Sequence, residues 1–435
     1  MPGEKSMSRL EIKYSNKSKN FRVSNFEFDK QFNHIYKYRL KDSAEFLREA
    51  IKKKWGSKYK IQILNDLKDH ERCVIIGTVF KKQELKPSVL KEISEQSQLN
   101  PQPPRSNFCD KESDVVILED ESQRVQLEGN MDNSKLTTGV ICSALGVMKT
   151  GGKFFVEEFL YFESGPQRSL KPLSNNTLVV FLYGLDHVLI NDHSLSLELF
   201  QQWLTGNIQG ASTEDGQIVR LIICGNVVRS ENEHKVSSLF VRKTESPTTV
   251  TAIKALDKVF SMWAESIEID LMPGIYDPTN FMLPQQPFHH CLFPESRKLS
   301  SFHCVTNPYQ FEMEDRLVLG CSGQNLQSVM KITNIEDTMD ALKGTLEWSH
   351  LSPTCPDSLA CFPYLDKDPF VIKECPHIYF AGNHTDGELK TEMWTGNNGD
   401  KKTRLICVPS FSKTQSVAVV NLNTLDCTKV SFKIE

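Results

Sequence analysis

The sequence predicts two domains of different class in one chain, a small closed β-barrel followed by a larger α/β domain. Three observations predict it. At 435 residues the chain exceeds what one hydrophobic core usually organises. Between residues 72 and 162, short β-like runs follow one another with little helical pattern. From residue 177 onward the pattern changes to alternating strands and helices, as in a layered sheet.

Residues 1–41 read as a basic arm. The first sixty residues carry nine more Lys/Arg than Asp/Glu, whereas the whole chain has a net charge of −4, so the remainder is acidic. A helix is expected over 42–55, with Asp42 or Ser43 as its cap and Phe46, Leu47, Ala50, Ile51 and Trp55 on one apolar face. A strand follows over 73–80, then a short helical piece near 87–95. The polar, proline-rich insertion LNPQPPRSNF (99–108) cannot build a core of its own. Strands are then expected at 114–118, 124–127, 139–147 and 153–161, the last two joined by the turn Met148-Lys149-Thr150-Gly151-Gly152. Five such strands predict that 42–162 is a helix plus a small barrel of oligonucleotide-binding (OB) type, although the strands alone fit other small β folds. The ligand face of such a barrel wants exposed aromatics among basic residues. That combination is not visible, so a structural barrel is expected.

Residues 163–176 read as a linker and 177–435 as the α/β domain. Strands are expected at 178–183, 218–224 and 267–271, with helices starting at Ser194 and covering 250–263. Strands at 302–305 and 317–319, a helix at 335–348, and strands at 377–381, 405–408, 416–421 and 429–434 complete it.

Composition narrows the function classes. With 39% hydrophobic and 24% charged residues the chain fits a globular protein. The longest apolar run, 178–183, is too short to cross a bilayer, and the N-terminus shows no apolar signal core. Twelve cysteines lie scattered without a C-x-x-C pair, which argues against a structural zinc and for reduced thiols in the cytosol or nucleus. The basic arm reads as solvated or partner-facing before it reads as a nucleic-acid contact.

Candidate chemistry gathers where four strands run into glycine, at Gly184, Gly225, Gly274 and Gly382. A metal-dependent phosphoesterase needs carboxylates and imidazoles at such tips to hold two cations. The first tip would carry Asp-x-His and reads Gly184-Leu185-Asp186. The second would carry Gly-Asp-x-x-Asp and reads Gly225-Asn226-Val227-Val228-Arg229. A neutral Asn226 supplies no bridging anion, and Arg229 adds positive charge where cations would sit. The third would read Gly-Asn-His-Asp and instead reads Gly274-Ile275-Tyr276-Asp277; the last, Gly-His-x-His, is Gly382-Asn383-His384-Thr385. Asp186-His187, Asp192-His193, His289-His290 and His384 read as loop residues, since neighbours on extended chain point apart. No catalytic residue, metal ligand or cofactor is expected. The loop 272–294 is unusually apolar and is expected to pack on its own domain, with Ile275 and Tyr276 buried.

Long, idiosyncratic stretches carry a resemblance: PQPPRSNF (101–108), MPGIYDPTNFMLPQQPFHHCLFP (272–294), TNPYQFEMEDRLVLGCSGQN (306–325), LSPTCPDSLACFPYLDKDPF (351–370) and CPHIYFAGN (375–383). In them the chain resembles the DNA polymerase alpha/delta/epsilon B-subunit family, in its branch of small (second, B) regulatory subunits of DNA polymerase delta. The resemblance implies an OB barrel joined to an inactivated calcineurin-like phosphoesterase α/β sandwich. It also implies a non-catalytic scaffold in the nucleus, serving replication and repair synthesis. The implied partners are the polymerase's catalytic subunit, held through its cysteine-rich C-terminal metal-binding module, and its third subunit. The catalytic subunit of DNA polymerase zeta is a further implied partner, with DNA at most weakly bound and no membrane. Archaeal relatives keep the metal ligands and act as nucleases. The insert 384–403 departs from the family and is expected to lengthen a surface loop. Two alternatives stand beside this reading. A residual phosphoesterase or nuclease needs an anion at position 226, and a single-stranded DNA-binding module sits badly with the acidic bulk of the chain. The sequence assigns no residue to a partner contact.

Overall fold

The computed structural model describes residues 9–24, 27–86, 105–162, 165–187, 194–208, 218–228, 247–384, 386–397 and 399–433. The chain divides into two compact units, and neither is one continuous stretch. One consists of Phe26–Pro166 with Asn325–Glu374; the other of Met1–Asn25, Gln167–Gln324 and Cys375–Glu435. The expected blocks 1–41, 42–162, 163–176 and 177–435 therefore do not coincide with the compact units.

The first unit opens with the helix Asn33–Trp55. It starts earlier than expected, so Asp42 and Ser43 lie inside it and cap nothing; the residue before it, Phe32, makes no side-chain cap. The reason is a buried stripe at four-residue spacing, Ile35, Arg39, Ser43, Leu47 and Ile51, which continues the helix upstream. Leu47 packs with Ile141, Phe162 and Val371, and Ile51 with Val74 and Leu145.

Five strands form the barrel: Arg72–Lys82, Val115–Glu119, Arg124–Gly129, Ile141–Lys149 and Lys153–Leu160. They are ordered first, second, third, fifth, fourth, and the fourth pairs back onto the first to close the sheet. The third and fifth run parallel, the remaining pairs antiparallel. Closure removes open edges and encloses Val79, Leu118, Leu127, Phe154 and Val156. The expected helical piece near 87–95 and residues 99–104 of the insertion lie outside the described residues. Of the rest of that insertion, Phe108 donates its N–H to the Lys331 carbonyl at 2.8 Å, and Asn107 Nδ2 reaches the Met330 and Thr333 carbonyls.

The segment 325–374 belongs to this unit because Arg39 is fully buried there. Its Nε donates to Asp368 Oδ2 at 2.6 Å, and its other nitrogens to the carbonyls of Gly139, Pro353 and Cys355. His350 Nε2 lies 3.0 Å from the same Asp368 oxygen. The helix Thr338–Glu347 begins where Asp337 accepts the Met339 N–H.

The second unit holds two six-stranded sheets. One runs Phe302–Cys304, Glu268–Leu271, Ile218–Ile223, Leu178–Leu182, Ser416–Asn421, Cys427–Ser431, its first four strands parallel. The other runs Tyr14–Asn16, Tyr309–Met313, Arg316–Cys321, Ile378–Ala381, Lys402–Cys407, Lys390–Thr395. Phe181 and Ile222 from the first sheet share one core with Phe311, Val318, Phe380 and Ile406 from the second, so the sheets pack face to face. On the outer face of the first sheet, Leu221, Ile223 and Ile269 pack under the helices Ser194–Leu204 and Pro247–Ala264 through Phe200, Leu256, Phe260 and Trp263.

Two expectations are corrected here. The insert 384–403 is no plain surface loop: its described residues supply the strand Lys390–Thr395, antiparallel to Lys402–Cys407, with Trp394 buried. Within the basic arm, expected to be solvated or partner-facing, Tyr14–Asn16 instead pairs antiparallel with Phe311–Met313 of the same chain.

Candidate functional site

The parallel strands Leu178–Leu182, Ile218–Ile223 and Glu268–Leu271 deliver their carboxyl ends to one edge of their sheet. Arg316–Cys321 and Ile378–Ala381, also parallel, deliver theirs from the facing sheet. The tips meet at contact distance, and glycine allows it. A side chain on Gly225 would collide with Gly274 and the Ser322 hydroxyl; one on Gly382 would enter the Tyr183 ring.

Asp277 organises this place. Its Oδ2 accepts the N–H groups of Asn226 and Gly274, each at 2.7 Å, and its Oδ1 those of Val227 and Val228 at 2.9 and 3.0 Å. Burial pushes its carboxyl up to about 7, while the four N–H donors pull the other way. Sequence reasoning missed this role. The only signal was a carboxylate three residues beyond the strand-ending glycine.

Asn226 sits at φ +52° beside it and is buried. Its Nδ2 donates to the Tyr183 hydroxyl at 2.5 Å, and its Oδ1 accepts the Tyr276 N–H at 3.4 Å. Burial, then the nearby Asp186 and Asp277, raise the Tyr183 hydroxyl well above its ordinary range. The Gly184 N–H donates to the Gly225 carbonyl and the Asp186 N–H to the Asn226 carbonyl, both at 3.1 Å. Asp186 Oδ2 accepts the Ser412 hydroxyl at 2.7 Å. Asn383, at φ +53°, stands against Gly323. Five of the seven residues singled out at the tips, Gly184, Asp186, Asn226, Ile275 and Tyr276, thus lie in one hydrogen-bonded neighbourhood, and Asn383 follows Gly382 at the Tyr183 ring. Arg229 lies outside the described residues, as does Asp192-His193.

The expected burial of Tyr276 is corrected: it is 38% exposed, and Ile275 is half-buried. The chain turns from Gly274 to Asp277, whose N–H donates back to the Gly274 carbonyl. Asp277 points inward to its donors, so the two residues at the crown of the turn point out. The loop beyond packs as expected through Leu283, Phe288 and Phe293, while Phe281 is exposed. Gln285 pins it, donating to the Gly274 carbonyl at 2.9 Å and accepting from Asn307 and Gln324 at 2.7 Å each.

The candidate histidines do not converge. His384 Nε2 donates to the Val408 carbonyl at 2.9 Å, and burial lowers its pKa. The His187 N–H donates to the Val227 carbonyl. His289 and His290 stay exposed with their rings 4.1 Å apart. Among the described residues, no group of three or more His, Cys, Asp or Glu could hold a metal ion. Chemically, the tips present a neutral amide, a phenol and a set of N–H groups already occupied by the chain's own carboxylate.

A family model described as the DNA polymerase delta subunit OB-fold domain matches residues 31–159, and one for the B subunit of DNA polymerase alpha/epsilon matches residues 179–388. A protein named DNA polymerase delta subunit 2, from Drosophila melanogaster, is 48% identical over 432 residues, covering 98% of this chain and 99% of that protein. The chain belongs to the DNA polymerase delta small-subunit family. The resemblance read from the sequence is borne out. The small subunit from Oryza sativa subsp. japonica is 34% identical over 98% of this chain and 99% of its own length. That from Saccharomyces cerevisiae is 30% identical over 94% of this chain and 90% of its own length. In this family the OB-fold match covers the helix Asn33–Trp55 and the closed barrel, whose first-second-third-fifth-fourth order fits that fold.

Proposed function

We propose that the chain is the non-catalytic accessory subunit of a nuclear DNA polymerase delta, acting in replication and repair synthesis. In that role it is a scaffold joining the catalytic subunit, through that partner's C-terminal metal-binding module, to the third subunit. Full-length identity of 48% to a delta subunit 2 carries this reading. Within it, the paired sheets flanked by helices read as a phosphoesterase-like sandwich that has lost its chemistry. Gly184, Asp186, Asn226, Arg229, Ile275, Tyr276 and Asn383 then mark positions where ligands would stand. Support comes from the neutral amide of Asn226 at the centre of the tips and from Asp277 filling the adjoining N–H groups.

Co-expression of the full chain with the catalytic and third subunits of polymerase delta tests the scaffold. The three should co-elute as one species, and omission of this chain should separate the other two. A stable pair formed without it would overturn the bridging role. Inactivity is tested separately. The purified chain should turn over neither DNA nor aryl phosphates with added manganese, and Asn226→Asp should not restore activity, since one carboxylate does not rebuild a two-metal site. Metal-dependent turnover that tracks the chain through purification would sink that part.

A further inference from the structure

The barrel unit carries a groove of about 990 Å³ that none of the foregoing uses. It runs between the strand Lys153–Leu160, the loop that follows Arg124–Gly129, and the helix Thr338–Glu347. Its floor is aromatic. Phe159 and Tyr161 are half-buried with rings 6.4 Å apart and 4° from parallel. The Trp348 indole, mostly buried, packs against Gly344, where a side chain would crowd it, and shows its remaining edge to the groove. Half-exposed aromatics can serve as platforms for nucleic-acid bases, although the usual ligand face of an OB barrel lies on its second and third strands and this shelf lies on the fifth.

The rim reverses that expectation. Seven carboxylates and two lysines line the groove. Glu157 and Glu158 are engaged by Arg72 and Lys54. Asp132, Glu336, Asp340 and Glu347 are exposed along the rim, with Asp340, Gly344 and Glu347 on one helix face. A polyanion approaching this surface is repelled. A cationic side chain gains from the carboxylates and again from the aromatic faces. We propose that the groove docks a Lys/Arg-rich amphipathic segment of a partner protein. The segment's cations lie along the carboxylate rim and its apolar side chains rest on Phe159, Tyr161 and Trp348.

The test titrates the full chain against a fluorescein-labelled Lys/Leu peptide, its Glu/Leu counterpart and a labelled oligo-dT, read by anisotropy. The same titrations use the variant Asp132→Lys/Glu336→Lys/Asp340→Lys, with Glu347→Lys as a milder second variant. Asp132 Oδ1 also accepts the Ser134 N–H and hydroxyl, so melting temperatures are read beside binding. Glu336→Lys/Asp340→Lys, which leaves that turn intact, is titrated as well and should show the same weakening. The parent should bind the Lys/Leu peptide, more weakly as salt rises, and bind neither other probe. The triple variant should bind it about tenfold more weakly, and Glu347→Lys should fall between. Equal affinity of parent and variants, no binding of the basic peptide, or tighter binding of oligo-dT by the parent would each overturn the proposal.

Discussion

At the residue scale, single buried carboxylates decide where backbone goes. Asp277 gathers four N–H groups from two strand ends, and an amide cannot do the same, because its NH₂ would face two donors. Asp277→Asn is expected to cost about 3 kcal/mol, read as a lowered urea midpoint at unchanged slope. The second case is the Arg39–Asp368–His350 group. Burial alone would raise Asp368, but the Arg39 guanidinium and His350 hold it well below the usual carboxylate range. Burial, and then Arg39, lower His350 from 6.5 to about 4. His350 Nδ1 accepts the Ser352 N–H, so the neutral ring carries its proton on Nε2, toward Asp368. Between pH 6.5 and 4 the unfolded chain binds the imidazole proton and the folded chain does not, so the His350 contribution to stability falls as pH falls. Asp277, raised to about 7 in the folded chain, acts in the opposite direction over the same window. The His350 share of the change should be about 3 kcal/mol between pH 6.5 and 4. In denaturation series at stepped pH, the stability of the parent relative to His350→Gln should fall by about that amount from pH 6.5 to 4, the Asp277 contribution being common to both. A difference that does not change with pH would remove His350 from the account. None of this was legible in the sequence, because no local pattern marks which carboxylate meets which donor 50 or 300 residues away.

At the element scale, periodicity located the barrel strands to within a few residues, but it began the first helix nine residues late and did not show the helix Gln324–Ile332. It failed where an element is short or held by partners far off. The strand Tyr14–Asn16 has three residues and little pattern. It is held because the Tyr14 hydroxyl meets that of Tyr309 at 2.6 Å, Tyr309 donates to Asp270, and Arg220 pairs with Asp270 while lying 3.8 Å over the Tyr14 ring. The strand Lys390–Thr395 was hidden by polar composition, since an edge strand tolerates charge on its exposed face. Hydrogen exchange should show Lys390–Thr395 slowed by its pairing and Lys402–Cys407, with neighbours on both sides, slower still. Uniformly fast exchange across both would return the insert to a surface loop.

At the scale of the whole molecule, the compact units interleave along the chain. The barrel unit is incomplete without 325–374, which supplies Asp368 and the carbonyls of Pro353 and Cys355 to the fully buried Arg39. Removing the partners of a buried charge costs about 3–5 kcal/mol, a large part of a domain's stability. Residues 26–166 expressed alone should therefore show no cooperative melting transition, whereas the full chain should. A sharp calorimetric transition from that fragment would show the later segment to be dispensable.

The sequence by itself determined most of the strands and helices, though not the strand Tyr309–Met313 or the helix Gln324–Ile332, and it determined the glycines at the strand ends, the lack of an anion at Asn226, and the family. These follow from side-chain period, turn chemistry and residue identity, which act over a few neighbours. Only the tertiary structure decided that Asp277 fills the N–H groups at the tips, that Tyr276 faces out, that the arm and the insert add strands to a sheet, and that 325–374 joins the barrel. Each of those outcomes is a choice among remote partners of equal local propensity. That choice is settled by which pairing leaves the fewest buried polar groups unsatisfied, and so it is absent from any window of neighbouring residues.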